Sequence, residues 1–336
     1  SGTRLPYPEA RTRNTVASHT PLLHDGGFMY RPIWSLLATV LFASTVHAQS
    51  RTIAERLGYP ATAKLLILHA DDLGVAHSED SASFDALEKG VVNSASIMMP
   101  TPWVTEVARY AKAHPDADFG LHLTLTSEWE SYRWGPVAPS DQVKSLLDPD
   151  GTFPRQVQTV IARAKLDEVE RELRAQVERA LAMGIHPTHL DSHMGTLFTT
   201  PGLMAAYVKV ARAYKLPFLG FIGTPNTGTE TGAMKTDLYP DTVLIADERI
   251  PAAQWKQFYL DAVKNLKPGL TELIVHLGYD DAELQAVMAG HEAYGAAWRQ
   301  RDYDVLSSAE FKQALKDNDV KLVRWRDLQK LMAPTP

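Results

Sequence analysis

KLLILHA, residues 64–70, is an almost unbroken apolar run. A strand reads this way when helices cover both of its faces, as in a parallel sheet. Two carboxylates, Asp71 and Asp72, follow it directly, and Gly74 allows a turn. Residues 79–89 have helical spacing, with Ser78 as a candidate N-cap. The alternation continues with a strand at 94–99 closed by Pro100, and a helix at 102–114 with Pro102 in its first turn. A third strand is expected at 119–125, then a charged helix at 166–183 stopped by Gly184. A fourth strand at 188–191 and a helix at 202–214 come next, then strands at 218–222, 243–245 and 270–277. Further helical stretches and a last strand at 321–325 complete the chain. Repeated βα units of this kind predict an α/β fold with a parallel sheet, open or closed into a barrel.

The composition narrows the function. The 336 residues are 45% hydrophobic and 22% charged, an ordinary globular balance. The net charge of -6 gives no reason to expect a nucleic-acid partner. With no cysteine, a metal site would rest on His and carboxylate ligands. Residues 29–48 have the order of a signal peptide: Arg31, an apolar run from Ile33 to Phe42, and small residues ending at Ala48. The run is short for a membrane span. Residues 1–28 read as an unassigned extension, residues 29–48 as a leader, and 49–336 as one domain with no stable membrane span, placed in the periplasm or secreted. Without residues 1–48, which hold four Arg, one Glu and one Asp, the balance is -8.

The chemistry-bearing residues gather where strands end. Asp71 and Asp72 follow the first strand, His122 lies in the third, His189, Asp191 and His193 surround the fourth, and His276 and Asp280 end a late one. In open α/β sheets and barrels, the C-terminal edge of the strands is where ligands bind. Each residue alone has an ordinary structural reading. Together they would be five or six ionisable groups on one rim, at a desolvation cost of several kcal/mol. A carboxylate with two imidazoles suits Zn²⁺ or another divalent first-row ion. Such an ion activates water, a nearby carboxylate serves as base, and a histidine protonates the leaving group. His189 and His193 are four residues apart in a strand-then-turn segment, so their side chains need not converge. Residues 127–154 form a long loop holding Trp129, Tyr132 and Trp134, a candidate binding wall whose rings could stack on sugars or pack the loop. Residues 223–232 form a similar Gly/Thr/Pro-rich stretch. Arg301 reads as a surface or structural residue.

Five segments in order carry a resemblance. They are HADDLGVAHSEDSASFDALEKGVVNSASIMMP from His69, FGLHLTLTSEW from Phe119, PTHLDSHMG from Pro187, ELIVHLGYDD from Glu272, and RQRDYDVLSSAEFKQAL from Arg299 with VKLVRW from Val320. This ordered set resembles the YdjC-like carbohydrate deacetylases, which include chitooligosaccharide deacetylases, over about residues 64–328. The resemblance implies an irregular (β/α) barrel of the polysaccharide-deacetylase type and removal of acetyl groups from N-acetylated sugars with a divalent metal, Zn²⁺ or Mg²⁺. By position it implies Asp72, His122 and His193 as metal ligands and Asp71 as general base. It also implies His276 as the acid or substrate-orienting residue, with His189 a neighbour on the substrate side. The chain departs from the family in having Met194-Gly195 after the HLDSH motif, where further histidines are common, and Leu277 after His276, where proline is common. The rival expectations are a secreted O-acetyl polysaccharide esterase using the same site and a non-catalytic periplasmic sugar-binding protein.

Overall fold

The computed structural model describes residues 51–220 and 238–332. The expected leader, the extension before it, the last two residues of the strand expected at 218–222 and the stretch 223–232 lie outside them. The strands are β1 (Lys64–Leu73), β2 (Ser94–Ile97), β3 (Phe119–Leu123), β4 (Leu190–Ser192), β5 (Thr242–Ile245), β6 (Gly269–Val275) and the short β7 (Lys321–Leu322). The helices are α1 (Ile53–Arg56), α2 (His77–Glu88), α3 (Val104–Ala113), α4 (Val157–Arg163), α5 (Leu166–Ala182), α6 (Pro201–Ala213), α7 (Trp255–Lys264), α8 (Ala282–Val287), α9 (Ala296–Ser307), α10 (Ala309–Asp317) and α11 (Trp325–Met332). Every ladder among the described residues is parallel, in the order β4-β3-β2-β1-β6-β5, with β7 against the start of β1. Phe218 bridges Leu190 at the outer edge of β4.

Period-two alternation sorts the side chains. Leu66, Leu68 and Ala70 of β1 face outward and share one core with Ala82 and Ala86 of α2, Val107 of α3, Leu173 of α5 and Tyr207 of α6. Leu65 and Ile67 face inward, with Leu270 and Ile274 of β6 and Trp325 and Leu328 of α11. Asp118 caps the first turn of α11, accepting from the Trp325 and Arg326 backbone N–H groups at 3.0 and 2.9 Å. The sheet curls strongly. β1 and β4 are three places apart in the order, about 14 Å in a flat sheet, yet His69 of β1 meets Asp191 of β4 at 3.1 Å. The result is a single α/β domain, an irregular parallel barrel with its polar groups on the concave side.

Several local expectations shift. Ser78 does not cap α2; its hydroxyl lies 2.7–2.8 Å from the carboxylate oxygens of Asp281 and Glu283, with one proton to share between them, tying α2 to the start of α8. The last strand is two residues long, because Trp325 begins a helix. Pro102 precedes α3 rather than entering its first turn. Among the described residues, no helix is long and apolar enough to cross a membrane.

Candidate active site

Adjacent residues in a regular strand point to opposite faces, so Asp71 and Asp72 should not both reach one site. A bulge resolves this. Ala70 pairs with Ala95 and Leu73 with Ile97, so β1 carries one more residue than β2 between those points. Asp72 takes up the irregularity in the left-handed region, at φ 71°, a conformation that costs a non-glycine residue about 1 kcal/mol or more. Gly74, at φ 97°, turns the chain away, and a Cβ there would lie 2.8 Å from the Thr101 hydroxyl.

Three donor atoms then converge. His122 Nε2 lies 3.4 Å and His193 Nδ1 3.2 Å from Asp72 Oδ1, and Asp72, His122 and His193 present ligand atoms all within 4.8 Å of one another. Asp72 Oδ1 is buried and, among the described residues, accepts no well-formed hydrogen bond. The other nitrogen of each ring is committed: His122 Nδ1 to Asp191 Oδ1 at 2.6 Å, His193 Nε2 to Glu128 Oε2 at 2.9 Å. Each carboxylate fixes which nitrogen faces the centre, as outer carboxylates do for metal-bound imidazoles. One orphaned carboxylate oxygen with two oriented imidazoles fits a divalent cation, and the donor set suits a first-row ion. Two overlapping groupings, His69–His189–Asp191 and Asp71–His122–Asp191, also bring donors close. Both depend on Asp191, whose oxygens already serve His122 and His69.

Electrostatics agree with this assignment. Burial favours neutral imidazole, but Glu128 and Asp72 outweigh it and raise His193 to about 10. Burial also opposes charge on His122, and Asp191 and Asp71 raise it regardless. Burial would lift Asp72, yet Arg299 and His193 hold it well below the usual carboxylate range. The field that keeps protons on both imidazoles is one that a dication can neutralise in their place.

Further groups surround the centre. Arg299 of α9, fully buried, reaches Asp72 Oδ2 at 2.8 Å and Glu79 of α2 at 2.5 Å. It thereby occupies the Asp72 oxygen that faces away from the imidazoles. Burial lifts Glu79 to about 8 against the pull of Arg299. His276 Nε2 is 3.9 Å from the same Asp72 oxygen. Burial depresses His276 to about 4, with Asp72 opposing and Arg299 assisting, so it is neutral at neutral pH. Asp302, one turn beyond Arg299, accepts from the His276 backbone N–H at 3.0 Å and from Trp255 and Tyr259. Asp71 lies with Oδ1 at 3.2 Å from the Ser96 hydroxyl and 3.0 Å from His69 Nε2, and with Oδ2 3.7 Å from His122 Nε2.

The structure thus brings Asp71, Asp72, His122, His193 and His276 together. It does not bring His189, which corrects the expectation of a substrate contact. His189 is wholly buried, stacked on Trp325 with ring centroids 5.0 Å apart, and a Cβ at Gly120 would fall 2.3 Å from its Nε2. Four strand residues span about 13 Å, so His189 and His193 occupy different layers of the barrel. Trp129 and Trp134 are also buried, both 3% exposed, which corrects the expectation of open stacking faces. Trp134 donates its indole N–H to the Thr126 carbonyl and backs His193 with ring centroids 6.4 Å apart. Asp280 is exposed and holds Gln285 instead. Arg301 lies over Trp255 at 5.0 Å. The loop expected as a wall does form one: Glu128, Asp148 and Pro154 line a cleft of about 580 Å³ with Arg155, Met194 and His291. Sequence reading missed His69, Glu128, Glu79, Arg299 and Asp302. Only His69 carried a signal, since it shares a strand face with Asp71.

Comparison with known proteins agrees with this geometry. A family model described as YdjC-like protein matches residues 65–317. A carbohydrate deacetylase of Thermus thermophilus is 32% identical over 275 residues, covering 79% of this chain and 94% of that protein. A carbohydrate deacetylase of Thermoanaerobacter pseudethanolicus is 26% identical over 266 residues, covering 79% of this chain and all of that one. A crystal structure of a proposed cellobiose-phosphate cleavage protein from Enterococcus faecalis superposes with TM-score 0.68 at 27% identity, over 80% of this chain and 99% of that one.

Proposed function

The chain belongs to the YdjC-like family, and from that premise we propose that it is a carbohydrate deacetylase using a divalent cation to hydrolyse the acetyl amide of an N-acetylated sugar. The observation that carries the reading is the convergence of Asp72 Oδ1, His122 Nε2 and His193 Nδ1 on one point beside a second carboxylate, Asp71. A sugar-binding protein would have no use for a base beside a cation site. The two imidazoles favour zinc or another first-row ion over Mg²⁺.

Asp72, His122 and His193 would hold the cation. Bound there, it lowers the pKa of water and polarises the acetyl carbonyl oxygen. Asp71 has one oxygen engaged by Ser96 and His69, which leaves Oδ2 to accept a proton from the attacking water. Hydrolysis places the water oxygen in acetate and its proton on the departing amine. His276 starts as a neutral imidazole, so it can give the amine a proton only while receiving another, or can steer the substrate through its ring N–H. Arg299 keeps Asp72 ionised and fixed in orientation. The cleft shared with Glu128 is of a size for small-molecule sites and supports entry of a sugar from that side.

The test is mass spectrometry of a panel of acetylated glycans incubated with metal-loaded protein, with Asp72→Ala as control. Loss of about 42 Da (one acetyl exchanged for hydrogen) from N-acetylated members, absent in the control, is expected. Release only from O-acetylated xylan, or equal release by the control, overturns the reading. The leader-like residues 29–48 support a periplasmic or extracellular site of action; fractionation of cells expressing the full chain, finding it only in the cytosol, would refute that.

A further inference from the structure

We propose that His69 is a positioning residue for Asp71, closing a ring of four side chains that ties the base to the carboxylate behind His122. The inference rests on the reading of Asp71 as base. His69 is completely buried, so it touches no substrate. Its Nε2 stands between two carboxylates, hydrogen-bonded to Asp191 Oδ2 at 3.1 Å and at ion-pair distance, 3.0 Å, from Asp71 Oδ1, with the Ser96 hydroxyl 3.1 Å away. Asp191 Oδ1 accepts from His122 Nδ1 at 2.6 Å, and His122 Nε2 returns to Asp71 Oδ2 at 3.7 Å. The circuit runs through β1, β4 and β3 and back to β1. On the far side of the ring, Nδ1 meets the Ser94 hydroxyl at 2.9 Å, with Glu272 3.7 Å away.

Strand alternation makes the arrangement possible. His69 and Asp71 lie two residues apart on the concave face of β1, before the bulge. Ser94 and Ser96 alternate likewise on β2 and supply small hydroxyls beside the imidazole. Engaging Asp71 Oδ1 from below decides which oxygen is left toward the cation site and stops the carboxylate from turning. The same nitrogen braces Asp191, so base and ligand share one support.

The experiment uses the full chain in the His69→Leu and His69→Gln forms, each alone and with Asp71→Asn, and reads kcat, KM and Zn²⁺ affinity. The Gln amide can place its N–H groups near the position of Nε2, whereas Leu fills the space without a donor. Misplacing a catalytic group by about 1 Å costs on the order of 100-fold. His69→Leu is therefore expected to lower kcat about 100-fold with KM within about threefold, and to weaken Zn²⁺ binding about tenfold through Asp191. His69→Gln recovers about tenfold or more of the lost kcat, and neither change lowers activity further in the Asp71→Asn background. Wild-type kcat in His69→Leu, equal losses in both variants, or additive losses beside Asp71→Asn would each overturn the proposal. If His69→Leu does not fold, the Gln variant and its pairing with Asp71→Asn decide by the same non-additivity. If the wild-type protein releases no acetate, the deacetylase reading fails. The Zn²⁺ affinities of the two variants then still test the hold of His69 on Asp191.

Discussion

Replacing Asp191 by Asn removes one charge and little else, and it strikes the group on which His122 depends. Asp191 Oδ1 takes the Nδ1 proton of His122 at 2.6 Å, and Oδ2 faces His69 Nε2 at 3.1 Å. Burial alone would raise the carboxyl, but His122 and His69 hold it far below the usual range, so it is ionised at neutral pH. An amide keeps the shape and one acceptor. Its oxygen can serve His122 only if its NH₂ then confronts the His69 side, and the reverse orientation deprives His122. Either way a charge-assisted hydrogen bond is lost, worth about 1.5–3 kcal/mol. Because Asp191 fixes the tautomer that turns Nε2 toward Asp72, most of that loss falls on the cation. The expected result is a roughly 10- to 100-fold weaker Zn²⁺ Kd, equivalent to about 1.4–2.8 kcal/mol. The assay is competition against a zinc-sensitive dye of known affinity, with circular dichroism to establish that Asp191→Asn is folded. A folded variant whose Kd lies within about twofold of wild type would refute the orienting role.

Other outcomes follow from the same geometry. His122 and His193 hold protons that a cation must displace, because their pKa values are raised, His193 to about 10. Apparent Zn²⁺ affinity should therefore fall about tenfold or more per pH unit between about pH 8 and 6; a flat profile by calorimetry would contradict this. Gly120→Ala puts a methyl 2.3 Å from the His189 ring, which Trp325 holds from the other side. It should lower unfolding stability by about 1–3 kcal/mol in urea titrations, and an unchanged midpoint would show that the ring can shift. Burial raises Glu272 to about 7 in the fold, and among the described residues Oε2 has no hydrogen-bond partner while Oε1 accepts from Trp325 at 2.8 Å. A folded pKa above the unfolded one stabilises at low pH, and that contribution is lost as pH rises toward the folded value. Glu272→Gln should therefore gain stability relative to wild type between about pH 5 and 8, by up to about 3 kcal/mol. A pH-independent difference in denaturant melts would refute the assignment.

How far the sequence reaches can be judged residue by residue. Strand existence was readable because burial on both faces leaves a continuous apolar run, as at 64–70, and because Gly184 ends a helix by its own backbone freedom. Boundaries were less so: Ser78 has the chemistry of a cap, but two carboxylates some 200 positions away compete for its hydroxyl. The family, with the gathering of Asp71, Asp72, His122, His193 and His276 at strand ends, followed from local motifs and the rule that parallel strands deliver their C-terminal ends to one rim.

What the chain's order alone could not decide is how those groups are used. Two adjacent aspartates reach one centre only because a bulge opposite β2 costs β1 a strained residue at Asp72. His193 reaches the candidate cation site and His189 is a packed ring because the three residues between them cross two layers of the barrel, and Trp325 from the far end of the chain fills the lower one. The nitrogen each imidazole presents is set by Asp191 and Glu128, and the orientation of Asp72 by Arg299, 227 positions away. Local motif and periodicity act over a few residues. Tautomer, charge and orientation are set by whatever the curled sheet brings within hydrogen-bonding reach, and that is decided only when the strands have closed around it.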